Sequence, residues 1–355
     1  MPPTPGSVWG IHDSVGDPPM AFAGGLWRSP ALPADGQASG CGYYRIIQPL
    51  DELARHDWTA RYQAGRPPPD SGTYRIIVAQ RTDKYAALPD WRRLRARHRL
   101  VYEIDDNVFD VDPLNWQAHG VYSRLETQEA VTHAAQVADM VTVTTPVLAE
   151  VMRARTGHRN VQVLPNCVPG ALLTMQRRRN RRRMIVGWAG GASHAGDVSM
   201  IAAPVREFLT RHKRAELHLA GTDYRKTFGV PARFTDWVPV DASLAYYRGI
   251  DFDVALCPLT GTVFDAAKSS IKALEAAALG IPAIASDCPP YRDFVIDGET
   301  GFLCKTPEQF GERLAELAAD PGLREAMGAR AREVAAEHTI EGNWRRWADA
   351  YSSLL

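Results

Sequence analysis

The 355-residue sequence contains few cysteines, and they are scattered along the chain. The five are Cys41, Cys167, Cys257, Cys288 and Cys304, and none belongs to a Cys-x-x-Cys pair. An odd and dispersed set fits neither a zinc ribbon nor a disulfide framework. We therefore expect free thiols in a reducing compartment, and we predict a cytoplasmic protein.

The sequence also lacks a long apolar run and a net charge. No segment approaches the roughly 18 uninterrupted apolar residues of a membrane-spanning helix, and the first residues do not resemble a signal peptide. Lys+Arg and Asp+Glu are both 41, so no overall charge indicates a nucleic-acid-binding or membrane-binding protein. With 45% apolar and 23% charged residues, the composition is typical of a globular protein.

Several catalytic signatures are absent as well. The sequence has no Gly-x-Ser-x-Gly elbow, no Walker A loop, no His-Glu-x-x-His helix and no complete Gly-x-Gly-x-x-Gly. Motifs therefore give no support to a hydrolase, a kinase or a nicotinamide enzyme.

What the sequence does contain is an alternation of short apolar runs with helical patterns. Strand patterns occur at 7–11, 74–79, 100–104, 140–144, 161–164, 184–188, 216–220, 253–257 and 282–285. Such alternation predicts parallel sheets covered by helices on both faces. We predict an α/β protein with two Rossmann-like domains, 1–169 and 184–336, joined by an Arg-rich linker at 170–183. A C-terminal helix in 337–355 is expected to pack back toward the first domain.

A glycine cluster follows the strand pattern at 184–188 and precedes a helical pattern. Gly190 and Gly191 allow backbone N–H groups to approach an anion, and the N-terminus of the following helix adds positive partial charge. The same pattern also occurs in tight turns that bind nothing. His194, at the start of the helix, is either a donor to a phosphate or sugar or a helix cap.

Two of the six lysines lie four residues apart at the start of another predicted helix. Ser269 or Ser270 would cap this helix, which places Lys268 and Lys272 near the positive end of the helix dipole. Like charges in this position destabilise the helix by roughly a few tenths of a kcal/mol for each unfavourable contact. A bound diphosphate would reverse the sign of both effects. We interpret the lysines as an anion site, with a solvated helix face as the alternative.

The stretches KALEAAALGIPAIASD at 272–287 and DGETGFL at 297–303 resemble the donor-site core of family-four glycosyltransferases with the GT-B fold. Pro165 and Asn166 resemble the start of that family's Pro-Asn-Gly-Val, and the similarity extends over about 139–305. The resemblance implies two Rossmann-like domains facing each other across a cleft. It also implies a UDP- or GDP-sugar as co-substrate, with no bound cofactor or metal. By resemblance the transfer retains the anomeric configuration, and the departing diphosphate deprotonates the acceptor.

The resemblance also assigns residues of the donor-binding domain. Glu275 matches the second acid of the family's Glu-x7-Glu motif, which holds the ribose. The first acid is missing, and Asp265 is the nearest replacement. The usual diphosphate clamp is absent too, so Lys268, Ser269 and Lys272 are expected to contact the diphosphate instead, with Lys268 a candidate catalytic residue.

The first domain would then bind the acceptor. The sequence GCGYYR at 40–45 resembles a glycine-rich acceptor-side loop, and we take Gly42, Tyr43 and Arg45 as candidates, with Arg45 pointing toward the cleft.

Two acidic residues follow the strand pattern at 100–104. Asp105 and Asp106 lie where a parallel sheet places ligand-binding residues, and Asp106 and His119 are candidates for orienting the acceptor hydroxyl. With Asp110 and Asp112, the same residues could instead bind a divalent metal.

The acceptor itself stays open: a glycan, a lipid, a protein, a small molecule or modified DNA. The basic runs at 92–99 and 177–183 are solvated surfaces in the simplest interpretation, but they could also contact phosphate backbones. One alternative is therefore a glycosyltransferase acting on hydroxymethylated pyrimidines in DNA. Another is a non-catalytic nucleotide-sugar-binding protein of the same fold.

Overall fold

The structure, a computed structural model, describes residues 6–12, 40–64, 74–81, 88–176, 183–241 and 244–355. The expected loop after the first strand and the arginine run at 177–182 lie outside these residues. The chain divides into two compact units. Unit 1 comprises Met1–Asp110, Gly120–Asn166 and Ile340–Leu355, and unit 2 comprises Val111–His119 and Cys167–Thr339.

Each unit is built on a parallel six-stranded sheet. The sheet of unit 1 contains β1 (Ser7–His12), β2 (Thr59–Ala64), β3 (Ile76–Gln80), β4 (Arg99–Ile104), β5 (Met140–Val143) and β6 (Val161–Val163). The sheet of unit 2 contains β7 (Met184–Gly190), β8 (Ala215–Gly221), β9 (Ala232–Asp236), β10 (Val254–Cys257), β11 (Ala283–Ser286) and β12 (Gly301–Cys304). The strand orders are β2-β1-β3-β4-β5-β6 and β12-β11-β10-β7-β8-β9.

Helices connect the strands. In the described residues they are α1 (Gly40–Gly42), α2 (Gln48–Ala54), α3 (Leu88–Leu94), α4 (Trp116–Tyr122), α5 (Leu125–Val137), α6 (Pro146–Thr156), α7 (Ala195–Arg211), α8 (Arg225–Phe228), α9 (Ala245–Arg248), α10 (Val263–Ala266), α11 (Ile271–Ala278), α12 (Pro289–Arg292), α13 (Pro307–Ala319), α14 (Pro321–Ala336), α15 (Ile340–Asn343) and α16 (Arg345–Ser352). Within the described part of the chain, none is long and apolar enough to cross a membrane.

The central strands explain why the sheets form. All residues of β3, β5, β10 and β11 are buried, as expected for strands covered on both faces. In unit 2, α7 and α13 pack side chains such as Val198 and Leu314 against Val186 and Trp188 of β7. The predicted α/β class with two parallel sheets is therefore confirmed, and all five cysteines are free thiols.

Three strands were not predicted from the sequence, and all three lie at a sheet edge. They are β2, β9 and β12. An edge strand has one neighbour and is more exposed to solvent, so it does not need the continuous apolar run that identifies a central strand. The sequences TARYQA of β2 and ARFTD of β9 illustrate this, because at least half of the residues in each are polar.

Candidate functional site

In unit 2, the parallel arrangement brings the ends of β7 and β10 to the same edge of the sheet. After β7, Gly191 leads into a short 3₁₀ turn, Ala192–His194, and then into α7. After β10, the chain passes through a loop to α10 and then to α11. The carboxyl edge of an open α/β sheet is where ligands bind. We call this region of unit 2 the donor edge, because the resemblance in the sequence predicts the donor-binding residues here.

Asp197, in the first turn of α7, joins the two connections at the donor edge. Its Oδ2 accepts a hydrogen bond from His194 Nδ1 at 2.7 Å, and its Oδ1 accepts one from the backbone N–H of Thr260 at 2.9 Å. Burial raises the pKa of Asp197, and the Thr260 bond and the nearby Lys272 oppose that shift. The carboxylate therefore connects the start of α7 to the loop after β10.

Asp265 organises that same loop from the other side. Its Oδ2 accepts from Thr260 Oγ1 at 2.8 Å and from the backbone N–H of Gly261 at 3.1 Å. With Thr262 it also forms a capping box at the start of α10. Burial raises the pKa of Asp265, and the neighbouring Asp197 adds to the shift. Its carboxylate is thus engaged by the protein itself.

Lys272, in the first turn of α11, is a partly buried ammonium at the donor edge. Its Nζ donates to the carbonyl oxygen of Ala189 at 3.2 Å and lies 4.8 Å from the centre of a Trp188 ring. Within the described residues, no carboxylate is close enough to Lys272 to form an ion pair. Burial lowers the pKa of Lys272 from 10.5 to about 8. A Cβ at Gly190 would overlap Nζ, so glycine makes room for this ammonium.

The start of α11 differs from the prediction in one respect. Ser270 is the N-cap residue, but its side chain makes no capping hydrogen bond. The predicted serine cap is therefore right in position and wrong in its bond. Ser269 precedes it, and Lys268 Nζ lies 4.1 Å from the centre of the Phe264 ring. The structure thus places both lysines and both serines at the N-terminal end of α11.

Glu275 lies one turn further along α11 and is buried. Tyr246 OH donates to its Oε2 at 3.5 Å. Burial and the nearby Glu275 raise the pKa of Tyr246 well above 10.0. Glu275 and Lys272 line the same narrow recess, together with Gly187, Ala189 and Cys257. A residue with a carboxylate and a residue with an ammonium thus line the same small recess.

In unit 1, the carboxyl edge of the sheet gathers a second polar group. Arg81, directly after β3, donates from Nε to Asp105 Oδ1 at 2.8 Å and from Nη2 to Asp106 Oδ2 at 3.1 Å. Its Nη2 also lies 3.3 Å from Cys41 Sγ. Arg81 has φ +47, a conformation that is uncommon for a residue other than glycine and is enriched at functional sites.

The expectation that Arg45 points toward a ligand is wrong. Its side chain is fully buried, donates to both carboxylate oxygens of Glu103, at 2.7 and 3.1 Å, and reaches Asn166 Oδ1 at 3.0 Å. Gly42 and Tyr43 are buried too, and Tyr43–Ile47 is a π-helical turn between α1 and α2. Arg45 is therefore part of the interior of unit 1.

Two of the remaining predicted residues belong to different units. His119 lies in the Val111–His119 segment, which groups with unit 2, whereas Asp106 belongs to unit 1. The basic run at 92–99 leads into the amino end of β4, at the sheet edge opposite Asp105 and Asp106. Arg99 there donates to the carbonyl oxygen of Leu354. Among the described residues, no group of three or more His, Cys, Asp or Glu is arranged to hold a metal ion.

Three residues of these two edges were not anticipated from the sequence. Arg81 follows a buried strand, and that position could have identified it. Asp197 lies three residues after His194, the spacing of neighbours on a helix. Tyr246 belongs to a short helix far from α11 in sequence, and no local pattern indicates its contact with Glu275.

Comparison with known proteins agrees with this fold. Residues 233–334 match the family model described as Glycosyl transferases group 1, and no curated protein sequence matches the chain. A sucrose-phosphate synthase from Thermosynechococcus elongatus superimposes with a TM-score of 0.66 at 16% identity, over 98% of this chain and 99% of that one. Anabaena HepE in complex with UDP-glucose gives 0.66 at 12% identity, over 98% and 100%. A glycosyltransferase from Rickettsia africae gives 0.65 at 8% identity, over 99% of each chain.

These matches establish the fold. The chain has the GT-B fold of glycosyltransferases, as the resemblance in its sequence implied. Residues 233–334, which contain α11 with Lys272 and Glu275, are the part that matches the glycosyl transferases group 1 model.

Proposed function

We propose that this protein is a glycosyltransferase that moves a sugar from a nucleotide-sugar donor to an acceptor hydroxyl. The observation that carries the proposal is Lys272. Its ammonium is partly buried, donates to one carbonyl oxygen and has no carboxylate within ion-pair distance among the described residues. Because an unpaired charge is unfavourable in such a place, a bound anion would supply the missing partner. The donor's diphosphate is such an anion.

The other groups of the donor edge fit the rest of a nucleotide sugar. Glu275 shares the recess with Lys272, and its carboxylate would accept hydrogen bonds from the two ribose hydroxyls. Gly190, Gly191 and His194 lead into α7, whose N-terminus favours negative charge. HepE was solved in complexes with UDP-glucose and with UDP, and we take a uridine nucleotide as the first candidate donor.

The reaction needs a stabilised leaving group. The new bond forms between the acceptor oxygen and C1 of the sugar, while the bond from C1 to the phosphate oxygen breaks. Lys268, Lys272 and the N-termini of α7 and α11 would stabilise the charge that develops on the departing diphosphate. The diphosphate then takes the proton of the acceptor hydroxyl on the same face of the sugar, so the configuration at C1 is retained. The lysines carry the charge, and no metal is required.

We place the acceptor at the carboxyl edge of the unit 1 sheet. Asp106 would accept a hydrogen bond from the acceptor hydroxyl, with Asp105 and Arg81 holding it in place. His119 remains a second candidate for this role. The chemical class of the acceptor stays open. Modified DNA gains no support, because the described basic run at 92–99 leads into the opposite edge of this sheet.

The test is turnover of a panel of UDP- and GDP-sugars without acceptor, followed by proton NMR of any released sugar. We expect slow hydrolysis of one donor with the configuration at C1 retained. Activity should survive EDTA. An inverted product would contradict the retaining mechanism, and complete loss in EDTA restored by manganese would contradict metal independence.

One observation favours a second candidate, a nucleotide-sugar-binding protein without turnover. The family's first acid is replaced by Ala267, which is buried, and the carboxylate of Asp265 is engaged with the loop at Thr260 and Gly261. Tight binding of a nucleotide sugar, measured by calorimetry, together with no hydrolysis and no transfer to any acceptor, would select this candidate.

A further inference from the structure

The donor edge contains a histidine whose ring is held by a buried carboxylate. Asp197 accepts from His194 Nδ1 through Oδ2 and from the Thr260 backbone through Oδ1. An ionised carboxylate only accepts hydrogen bonds, so the Nδ1 of His194 carries a proton in this pair. The side chains of His194 and Asp197 are 12% and 8% exposed, and both orientations are therefore restricted by packing.

We propose that Asp197 is a positioning residue for the donor's diphosphate and acts through His194. It holds the imidazole so that Nε2 is the nitrogen that contacts the phosphate, and it favours the doubly protonated, positively charged ring. This inference rests on the proposed function, because it presupposes that a nucleoside diphosphate binds at the donor edge.

A positive charge on the His194 ring would strengthen its hydrogen bond to phosphate. A carboxylate within hydrogen-bond distance favours the charged form of a histidine, and a charged donor makes a stronger hydrogen bond to phosphate than a neutral one. Other titratable groups near this pair are Lys268 and Lys272 at the start of α11, the carboxylate of Asp265, and the phenols of Tyr224 and Tyr291. Tyr224 OH donates to the carbonyl of Ala192. The ring would thus add a third positive charge beside Lys268 and Lys272.

The second His–Asp pair of unit 2 shows what a purely structural pair looks like. His218 is buried, with Nδ1 2.8 Å from Asp251 Oδ1 and 2.9 Å from Arg233 Nη2, and with Nε2 2.8 Å from Thr235 Oγ1. Both ring nitrogens are therefore engaged within the sheet, and the pair lies away from the glycine turn after β7. It offers a control His–Asp pair in the same unit, in which the carboxylate also forms an ion pair with Arg233.

The experiment is a double-mutant cycle read with ligands of different charge. Calorimetry would measure the affinities of uridine, UMP and UDP for the wild type, Asp197→Asn, His194→Ala and the double variant. Asparagine retains an oxygen for the Thr260 N–H, so Asp197→Asn removes mainly the carboxylate's effect on His194. We expect a loss in UDP affinity of about 5–20-fold, no more than about a twofold change for uridine, and no further loss when Asp197→Asn is added to His194→Ala.

Two further measurements separate positioning from support of the fold. Asp251→Asn should lower the melting temperature without changing the ratio of UDP to uridine affinity. Nitrogen-15 spectra of the histidines, with His194→Ala giving the assignment, should show Nδ1 of His194 losing its proton in Asp197→Asn. This readout needs no ligand.

Three results would overturn the inference. Equal losses for uridine and UDP in Asp197→Asn would mean that the carboxylate only supports the loop. Additive losses in the double variant would mean that it acts independently of His194. Tighter UDP binding would mean that its repulsion of the diphosphate dominates. If the wild type binds no nucleoside diphosphate at all, the proposed function fails and the inference fails with it. If the wild type binds UDP and Asp197→Asn binds it with the same affinity, the inference fails and the proposed function stands.

Discussion

Replacing Lys272 by methionine should make the free protein more stable and the binding site weaker. Methionine is similar in length and carries no charge. Burial lowers the pKa of Lys272 from 10.5 to about 8, and each unit of difference corresponds to roughly 1.4 kcal/mol. Holding the ammonium in the free protein is therefore unfavourable by up to roughly 3 kcal/mol at neutral pH. We expect Lys272→Met to recover part of this free energy of unfolding.

The pH dependence has a definite sign. The folded pKa lies below the unfolded one, so between pH 8 and 10.5 the unfolded chain binds more protons at this site than the folded one. The stability contributed by this site therefore rises with pH in that range. The advantage of Lys272→Met should be complete below pH 8 and should disappear as the pH approaches 10.5.

A bound nucleoside diphosphate should act in the opposite direction and stabilise the wild type more than Lys272→Met. The variant loses a charge-assisted hydrogen bond of about 1.5–3 kcal/mol, which weakens UDP binding by roughly 10–150-fold. Uridine, which has no phosphate, should bind as before. Urea denaturation with and without UDP tests the predicted change in stability. Calorimetric titration with UDP and uridine tests the predicted change in affinity.

Lys213→Met is the matched control for this prediction. Lys213 is exposed in unit 2. Lys213→Met should therefore have the stability and the ligand affinity of the wild type. If Lys272→Met is less stable than the wild type without ligand, or binds UDP with unchanged affinity, the reasoning about the buried ammonium is refuted.

Three other changes test the remaining assignments. Glu275→Ala should weaken uridine and UDP binding alike, by about 1–3 kcal/mol, and unchanged uridine affinity in calorimetry would place the ribose elsewhere. Gly190→Ala should displace the Lys272 ammonium and lower UDP affinity with little effect on uridine; wild-type UDP titrations would contradict this. Arg45→Met leaves Glu103 buried without its partner, so we expect a loss of about 3–5 kcal/mol in the free energy of unfolding. A loss of transfer activity in a variant of unchanged stability would instead return Arg45 to the acceptor site.

The donor edge could be predicted from the sequence because its signals are local. A glycine cluster between a strand pattern and a helix pattern, and two lysines at a helix start, each require only a few neighbouring residues. The structure places Gly190, Lys272 and Glu275 at this edge. The position of the ammonium over Trp188 is not local, because it joins residues 84 positions apart in the sequence.

Arg45 shows where such reasoning fails. Its neighbours, two glycines and two tyrosines, resemble a ligand-binding loop, and an arginine there suggests an anion. What decides its role is Glu103 on β4, which is 58 residues away. A buried ion pair depends on which two elements meet in the folded unit. The local sequence around each partner therefore does not indicate the pairing. The same holds for Tyr246 and Glu275.

The order of the chain through the two units bears on how the protein is made. Unit 1 includes Ile340–Leu355, which is synthesised after Cys167–Thr339, the continuous stretch that forms most of unit 2. Trp344 in the last segment stacks on His56 with ring centres 3.8 Å apart, and Trp347 is fully buried. On the ribosome, unit 2 can therefore complete its core before unit 1 does. The part of unit 1 that is made earlier must wait until Ile340–Leu355 has been synthesised before Trp344 can cover His56.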